Sequence, residues 1–129
     1  MMHEDCPFCN PPDSNVWHRN DKGIVLWDGF PVAEGHSLIV PKTHVASLFD
    51  LAPEDQQSLW QMVSEVREIL TQKLSPDGFN VGLNDGVAAG QTIMHAHIHV
   101  VPRWAGDVAD PRGGVRWVLP DKACYWGEK

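Results

Sequence analysis

Positively charged residues are few in this sequence of 129 residues, in which 10 Lys and Arg stand against 17 Asp and Glu and the formal net charge is −7. Because non-specific binding to DNA or RNA comes mainly from Lys and Arg that neutralise phosphates, this charge argues against a nucleic-acid partner. No apolar run approaches the roughly 20 residues that a membrane span needs, and the N-terminus lacks the apolar stretch of a secretory signal. We therefore expect a soluble, cytoplasmic protein with no membrane partner.

Cysteine is also scarce, since the chain contains three. Cys6 and Cys9 form a Cys-x-x-Cys motif, and Cys124 is left over. Three cysteines make a poor disulfide framework, whereas Cys-x-x-Cys in a reducing compartment is typical of one half of a metal site. The motif therefore favours a metal-binding segment at the N-terminus.

The length and the even composition predict a single domain over residues 1–129. Hydrophobic periodicity indicates strands at residues 23–27, 36–40, 79–84 and 93–101 and one long helix at residues 53–74. Two strands, a helix and two strands joined by short links favour an α+β fold, in which an antiparallel sheet carries the helix on one face. Residues 104–129 are rich in Gly, Pro and Trp, and we expect there an irregular C-terminal segment packed by aromatic side chains.

Three of the seven histidines, His95, His97 and His99, alternate within the last predicted strand. Alternate side chains of a strand face the same way, so the three imidazoles are expected on one face, about 6.6 Å apart along the strand. The intervening apolar residues would then face the core. Two kinds of chemistry use such a row: metal binding by the imidazoles, or attack on phosphorus by one imidazole nitrogen.

The loop that precedes the three histidines favours a phosphate substrate. Residues 86–92 supply glycines, a carboxamide and a hydroxyl, and these groups suit the placement of hydrogen-bond donors around phosphate oxygens. A glycine-containing loop is more often a simple turn, so this indication depends on the histidines beside it.

Two segments carry a resemblance to a known family. Residues 91–103, Gln-Thr-Ile-Met-His-Ala-His-Ile-His-Val-Val-Pro-Arg, resemble the signature His-φ-His-φ-His-φ-φ of the histidine triad superfamily, where φ is apolar. Residues 31–44 resemble the family's Gly-His strand and the Pro-Lys-x-His turn after it. The resemblance covers residues 6 to about 107. It implies an antiparallel sheet of about five strands, which pairs across a two-fold axis into a ten-stranded sheet in a homodimer.

The resemblance also implies roles for individual residues in cleaving a nucleotide substrate. His97 matches the nucleophile that forms a nucleotidyl-histidine intermediate, His99 matches a residue that contacts the attacked phosphate and shuttles a proton, and His36 matches an additional active-site histidine.

Asn84, Gln91 and Thr92 match positions that contact the α-phosphate, and Asp28 matches the ribose-contacting position. Trp27 and Phe30 lie nearest to that ribose position, and they are the better aromatic candidates for a base cleft.

In the zinc-bearing members of the family, a similar Cys-x-x-Cys joins two histidines. The matching positions here imply one structural zinc ion bound by Cys6, Cys9, His44 and His95. His3 and His18 are rival ligands, and the alternative is that the cysteines are small buried residues with no metal.

The residues leave several functions open. The N-terminal motif resembles nucleoside phosphoramidate hydrolases, while Gln91 and Thr92 and the residues after the triad resemble dinucleoside polyphosphate hydrolases. We expect a hydrolase acting on dinucleoside polyphosphates. A phosphoramidate hydrolase, a purine nucleotide-binding regulator and a metallohydrolase with the triad as ligands are the alternatives. Arg103, Arg112 and Arg116 could contact a polyphosphate or could be ordinary surface charges.

Overall fold

The computed structural model describes residues 5–127 and contains one sheet and one long helix. The elements are β1 (Val16–Arg19), β2 (Gly23–Trp27), β3 (Ser37–Pro41), α1 (Pro53–Leu74), β4 (Gly78–Gly82), β5 (Ile98–Arg103) and a short α2 (Pro120–Ala123). Four 3-10 turns lie between them, at Asp13–Asn15, Leu48–Asp50, Val87–Ala89 and Gly114–Val118. The strands form an antiparallel sheet in the order β1-β2-β3-β5-β4. The α+β fold class is confirmed.

Helix α1 begins and ends where the sequence predicts. Pro53 occupies its first turn, where a missing N–H costs nothing, and Glu54 and Asp55 complement the positive end of the helix dipole. The helix ends at Ser75, which adopts a left-handed conformation with φ of 51° and donates its N–H to the carbonyl of Thr71. Although α1 has 22 residues, no helix in the described part of the chain is long and apolar enough to cross a membrane.

Both faces of the sheet are covered. Strand β3 is buried along its whole length, and the residues of β5 are buried at alternate positions. Helix α1 packs on one face through residues that include Leu59 and Leu70, against Ile39 and Ile98. On the other face, Leu26 and its neighbours on β2 and β3 form a second cluster with two residues of the N-terminal segment. Its members are Cys6, Phe8, Ile24, Leu26, Leu38 and Val40.

Strand β5 differs from its predicted range of 93–101. It begins at Ile98 and continues through Pro102 to Arg103, so His95 and His97 precede the strand. The backbone before β5 is bent because Ala96 donates its N–H to the carbonyl of Val45, which lies in the loop after β3 and not in a neighbouring strand. Pro102 is tolerated because the ladder with β3 stops at the pair of Val100 with Ser37, and from there β5 has a strand partner on one side only.

Strand β1 was not predicted. Its four residues, Val-Trp-His-Arg, show no alternation of apolar and polar residues, and it lies at the edge of the sheet. Its position depends on pairing with β2, to which Val16 is matched at Leu26 and Arg19 at Ile24.

The segment after β5 contains short helical turns within the described residues, which end at 127. Aromatic and arginine side chains hold it together. The guanidinium of Arg112 lies 4.7 Å from the ring centroid of Trp126, and that of Arg116 lies 4.7 Å from the ring centroid of Tyr125. The indole N–H of Trp117 donates to the carbonyl of Arg112.

Candidate active site

His97 presents one ring nitrogen to a backbone carbonyl and leaves the other nitrogen free to react. Its Nδ1 lies 2.9 Å from the carbonyl oxygen of His95. Because a carbonyl oxygen can only accept, Nδ1 of the neutral ring must carry the hydrogen, and Nε2 keeps its lone pair. This tautomer is the one that an imidazole nucleophile needs.

A chain of hydrogen bonds fixes the tautomers of His36 and His99 in the same way. The backbone N–H of Val32 donates to Nδ1 of His36 over 3.1 Å, so Nε2 of the neutral His36 ring carries its hydrogen. That Nε2 lies 2.9 Å from Nδ1 of His99 and donates to it. Nε2 of His99 therefore carries the hydrogen, and His99 can donate a hydrogen bond to a ligand.

Asp28 lies beside this pair of histidines. The ladder of β2 and β3 continues past Trp27, with the N–H of Asp28 bonded to the carbonyl of His36. One carboxylate oxygen, Oδ2, lies 3.2 Å from Nε2 of His36 and 3.9 Å from Nδ1 of His99. The other, Oδ1, accepts the N–H of Phe30. The Nε2 hydrogen of His36 is bonded to the nearer acceptor, Nδ1 of His99, and Oδ2 of Asp28 lies beside this bond.

Burial keeps these imidazoles neutral. Burial, together with the neighbouring His97 and His36, lowers the pKa of His99 to about 4, and Asp28 opposes the change. Burial also lowers the pKa of His36, again opposed by Asp28. Above pH of about 5, His99 is therefore an uncharged donor rather than a cation.

The loop between β4 and the triad is held by the side chain of Gln91, which is 5% exposed. Its Oε1 accepts the N–H of Gly86, and its Nε2 donates to the carbonyls of Ala46 and Ile93. These bonds occupy both ends of the amide with backbone groups. Gln91 thus lies next to the site as a brace for the loop.

A cavity of about 430 Å³ brings most of the predicted residues together. Its lining includes Asp28, Asn84, Gln91, Thr92, His97 and His99, and also Trp27 and Phe30. A second cavity of about 560 Å³ shares Asn84 and His99 with the first. Trp117 and Val118 of the C-terminal segment form part of its wall. His36 is 5% exposed and acts on the first cavity through His99.

Four side chains with metal-binding atoms converge at the other end of the triad. Sγ of Cys6 lies 3.3 Å from Nδ1 of His95, and Sγ of Cys9 lies 3.2 Å from Nδ1 of His44 and 3.5 Å from Nδ1 of His95. All four ligand atoms are within 4.8 Å of one another. Nε2 of His95 lies 2.8 Å from the carbonyl of Pro41, so Nε2 is protonated and the bare Nδ1 faces the sulfurs.

This donor set fits a tetrahedral zinc ion, which prefers sulfur and imidazole ligands. Burial raises the pKa of the Cys6 thiol, and a bound cation would favour its thiolate. The rival ligand His18 lies 3.0 Å from Glu65 on α1, outside the cluster, and His3 falls outside the described residues. A second group of potential ligands among residues 5–127 is Asp28, His36 and His99, and His97 belongs to neither group.

Comparison with known proteins decides the family. The protein-family model described as the HIT domain matches residues 11–106 of this chain. The chain belongs to the HIT family. A bis(5'-nucleosyl)-tetraphosphatase from Schizosaccharomyces pombe is 33% identical over 100 residues, covering 78% of this chain and 55% of that protein. An AP-4-A phosphorylase from Mycobacterium tuberculosis is 39% identical over 111 residues, again covering 78% of this chain and 55% of that protein.

A zinc-bound histidine triad family protein from Mycobacterium smegmatis is similar in structure. The TM-score is 0.74 at 33% identity, and the match covers 82% of this chain and 80% of that one. The five-stranded sheet and the main helix are thus those of a HIT domain.

Two features of this HIT domain were missed by the sequence analysis. Phe8 packs against the ring of His97, with centroids 4.9 Å apart, and the C-terminal Trp117 lines the cavity beside His99. The apolar character of Phe8 between two cysteines was visible, but its contact with a histidine almost ninety residues later was not. No periodic pattern indicated where the C-terminal segment would pack.

Proposed function

We propose that this HIT protein is a nucleotide hydrolase that cleaves a bond at the α-phosphate of a nucleoside through a nucleotidyl intermediate on His97. The observation that carries this proposal is the pair of tautomers in one cavity: the bare Nε2 of His97 and the N–H of His99. A nucleophile and a hydrogen-bond donor for the developing charge are what in-line displacement at phosphorus requires.

The proposed reaction has two displacements. In the first, the lone pair of Nε2 of His97 forms a bond to phosphorus while the bond to the leaving group breaks, and the leaving group departs with that electron pair. The modified ring is then cationic, and its Nδ1–H remains bonded to the carbonyl of His95. In the second, water attacks phosphorus, the P–N bond returns its electrons to Nε2, and a proton of the water passes to solvent, which balances the proton that the leaving group takes up. The N–H of His99 donates to a phosphoryl oxygen in both steps.

The other lining residues support a nucleotide as the ligand. Asn84 and Thr92 are exposed to the cavity beside His97, where they can donate to the α-phosphate. We place the ribose near Asp28 and the base between Trp27 and Phe30. Phe30 is 90% exposed, so an aromatic base would cover apolar surface that now faces water. Gln91 contributes by holding the loop.

Dinucleoside polyphosphates are the first candidate substrates, because the two relatives named above carry names of enzymes that act on such compounds. A nucleoside phosphoramidate is the second candidate, and the arginines favour it. Arg103 forms an ion pair with Asp107 at 2.8 Å and donates a hydrogen bond to Asn80. Arg112 forms an ion pair with Asp110 at 2.9 Å, and Arg116 donates to the carbonyl of Ala123. A polyphosphate tail would have to displace these partners, whereas an amine leaving group would not.

A turnover panel tests this proposal. We expect release of a nucleoside monophosphate from a dinucleoside polyphosphate or a nucleoside phosphoramidate, and no release by the His97→Ala protein, because that variant lacks the attacking atom. Nucleotide release should be followed by chromatography, with a nucleotide sugar as the third substrate. Tight nucleotide binding with equally slow hydrolysis by both proteins would contradict the enzyme and support a nucleotide-binding regulator.

We also propose one structural zinc ion per chain, bound by Cys6, Cys9, His44 and His95. When bound, zinc would link the N-terminal segment to the loop after β3 and to the residues before β5. The nucleophile His97 remains outside this site. The zinc-bound relative from Mycobacterium smegmatis supports the proposal.

A two-fold homodimer is the third proposal. Its support is the edge position of β4, which has a strand partner on one side only among residues 5–127. Pairing of two such edges would give a ten-stranded sheet. Sedimentation at micromolar concentration should give the mass of two chains, and replacing Val81 at the centre of β4 with proline should shift the mass toward one chain because proline removes a ladder N–H. A clean monomer for the unaltered protein would contradict the shared sheet.

A further inference from the structure

Phe8 connects the metal-binding cluster to the catalytic histidine. It lies between Cys6 and Cys9 and is 9% exposed. Its ring meets the edge of His95 with centroids 5.9 Å apart and the ring of His97 with centroids 4.9 Å apart at an interplanar angle of 68°. One aromatic side chain thus touches both a candidate metal ligand and the candidate nucleophile.

The hydrogen bond from Nδ1 of His97 to the carbonyl of His95 fixes the tautomer but does not fix the ring plane, because rotation about the last side-chain torsion of histidine is soft. Neighbouring rings supply the missing restraint. His99 lies on one side with centroids 5.2 Å apart, and Phe8 contacts the ring as well. The direction in which Nε2 of His97 points therefore depends on the position of the Phe8 ring.

The position of Phe8 depends in turn on the N-terminal segment. Residues 5–10 form turns without helix or strand. The segment meets the rest of the molecule where the sulfurs of Cys6 and Cys9 face His95 and His44, and where Phe8 packs with Leu26 and Leu38. A cation on the sulfurs and imidazoles would pin this segment at two points on either side of Phe8.

We infer that Phe8 is a positioning residue for His97, and that a metal ion held by Cys6, Cys9, His44 and His95 orients the attacking nitrogen of His97 by fixing Phe8 against its ring. The inference uses the proposed role of His97, but the ring orientation is measurable without turnover. It gives the metal a second effect besides stabilising the fold.

The test is nuclear magnetic resonance of the His97 ring in the zinc-loaded protein, assigned by its absence from the His97→Ala spectrum. We expect Phe8→Leu to retain one zinc per chain but to shift the ring protons of His97, because the ring current of Phe8 is lost. We also expect kcat to fall roughly 10-fold, since misplacing a reacting group slows the chemical step. Because Phe8 also lines the cavity, the ring protons of His97 are the deciding readout. Phe8→Tyr, which keeps the ring, should restore both readouts.

Chelation supplies the second half of the test. Removing the metal from the folded unaltered protein at low temperature should shift the His97 ring protons in the same direction as Phe8→Leu does. In the Phe8→Leu protein, chelation should cause little further shift of the His97 ring protons, because two changes that act through one contact are not additive. Phe79→Leu is the matched control, since Phe79 packs on the α1 side of the sheet and its loss should leave the His97 resonances in place.

Unchanged His97 resonances in zinc-loaded Phe8→Leu would overturn the inference, and so would fully additive shifts on chelation. If Phe8→Leu does not fold, chelation of the unaltered protein and the Phe8→Tyr variant decide the question by the same resonances. Failure of the proposed function would be seen separately, as full turnover by His97→Ala, and the ring resonances do not depend on that result.

Discussion

Replacing His97 with alanine should reduce turnover by about 10⁴-fold or more, the scale seen when a covalent nucleophile is lost. Thr92→Ala and Asn84→Ala should reduce turnover less, by roughly 10- to 100-fold, because each removes one hydrogen-bond donor near the phosphate and leaves the nucleophile in place. Gln91→Ala should also cost far less than His97→Ala, through displacement of the loop that its amide holds. Steady-state kinetics on the best substrate of the panel measures this order.

The matched control for His97→Ala is His18→Ala. His18 pairs with Glu65 on α1 and lies outside the catalytic cavity, so its removal should leave turnover near that of the unaltered protein. Acid quench with a substrate labelled at the α-phosphorus should trap an acid-labile, base-stable adduct that the His97→Ala protein cannot form. Retention of configuration at phosphorus, from two inversions, should accompany it. A single inversion would mean direct attack by water and would contradict the nucleotidyl-histidine.

Loss of the zinc ion should produce the second large effect. Cys6→Ser should lower the bound zinc from about one ion per chain to near zero, because the thiolate is among the strongest ligands in the set. A metal that binds only the folded state stabilises it by about 4 kcal/mol when its free concentration is about 1,000-fold above its dissociation constant. We therefore expect Cys6→Ser, or chelation of the unaltered protein, to lower the midpoint of thermal unfolding by many degrees.

Elemental analysis of protein purified without added metal, followed by thermal unfolding with and without chelator, measures both quantities. Cys124→Ser is the matched control, because Cys124 lies outside the metal-binding cluster and its replacement should leave the zinc content unchanged. Protein that contains no zinc, and in which Cys6 and Cys9 are alkylated freely in the folded state, would refute the site and leave the two cysteines as ordinary buried residues.

The lowered pKa values of His36 and His99 could not be derived from the sequence. Alternation predicted that His97 and His99 share a face, but the pKa of His99 near 4 depends on burial and on His36, which precedes β3. The contact between Asp28 and His36 was likewise not indicated by the resemblance. Oδ2 of Asp28 lies 3.2 Å from Nε2 of His36, so a ribose hydroxyl would have to share this carboxylate with the histidine.

The elements that depend on local periodicity could be predicted from the residues alone. Helix α1 follows from its apolar stripe and its terminal residues, and β2 follows from a short apolar run closed by a turn. The alternation around the triad also predicted that Ala96 and Ile98 turn toward the core, where both are buried. In each case a residue's surroundings are set by neighbours one to four positions away.

The remaining features could not be predicted in this way, because they depend on contacts between distant parts of the chain. The edge strand β1 takes its place from β2, and the start of β5 is set by the bond of Ala96 to Val45. Gln91 turns its amide inward because Ala46 and Gly86 offer backbone partners there. Phe8 reaches His97 because the N-terminal segment folds across the sheet face opposite α1, and no local pattern encodes such a contact.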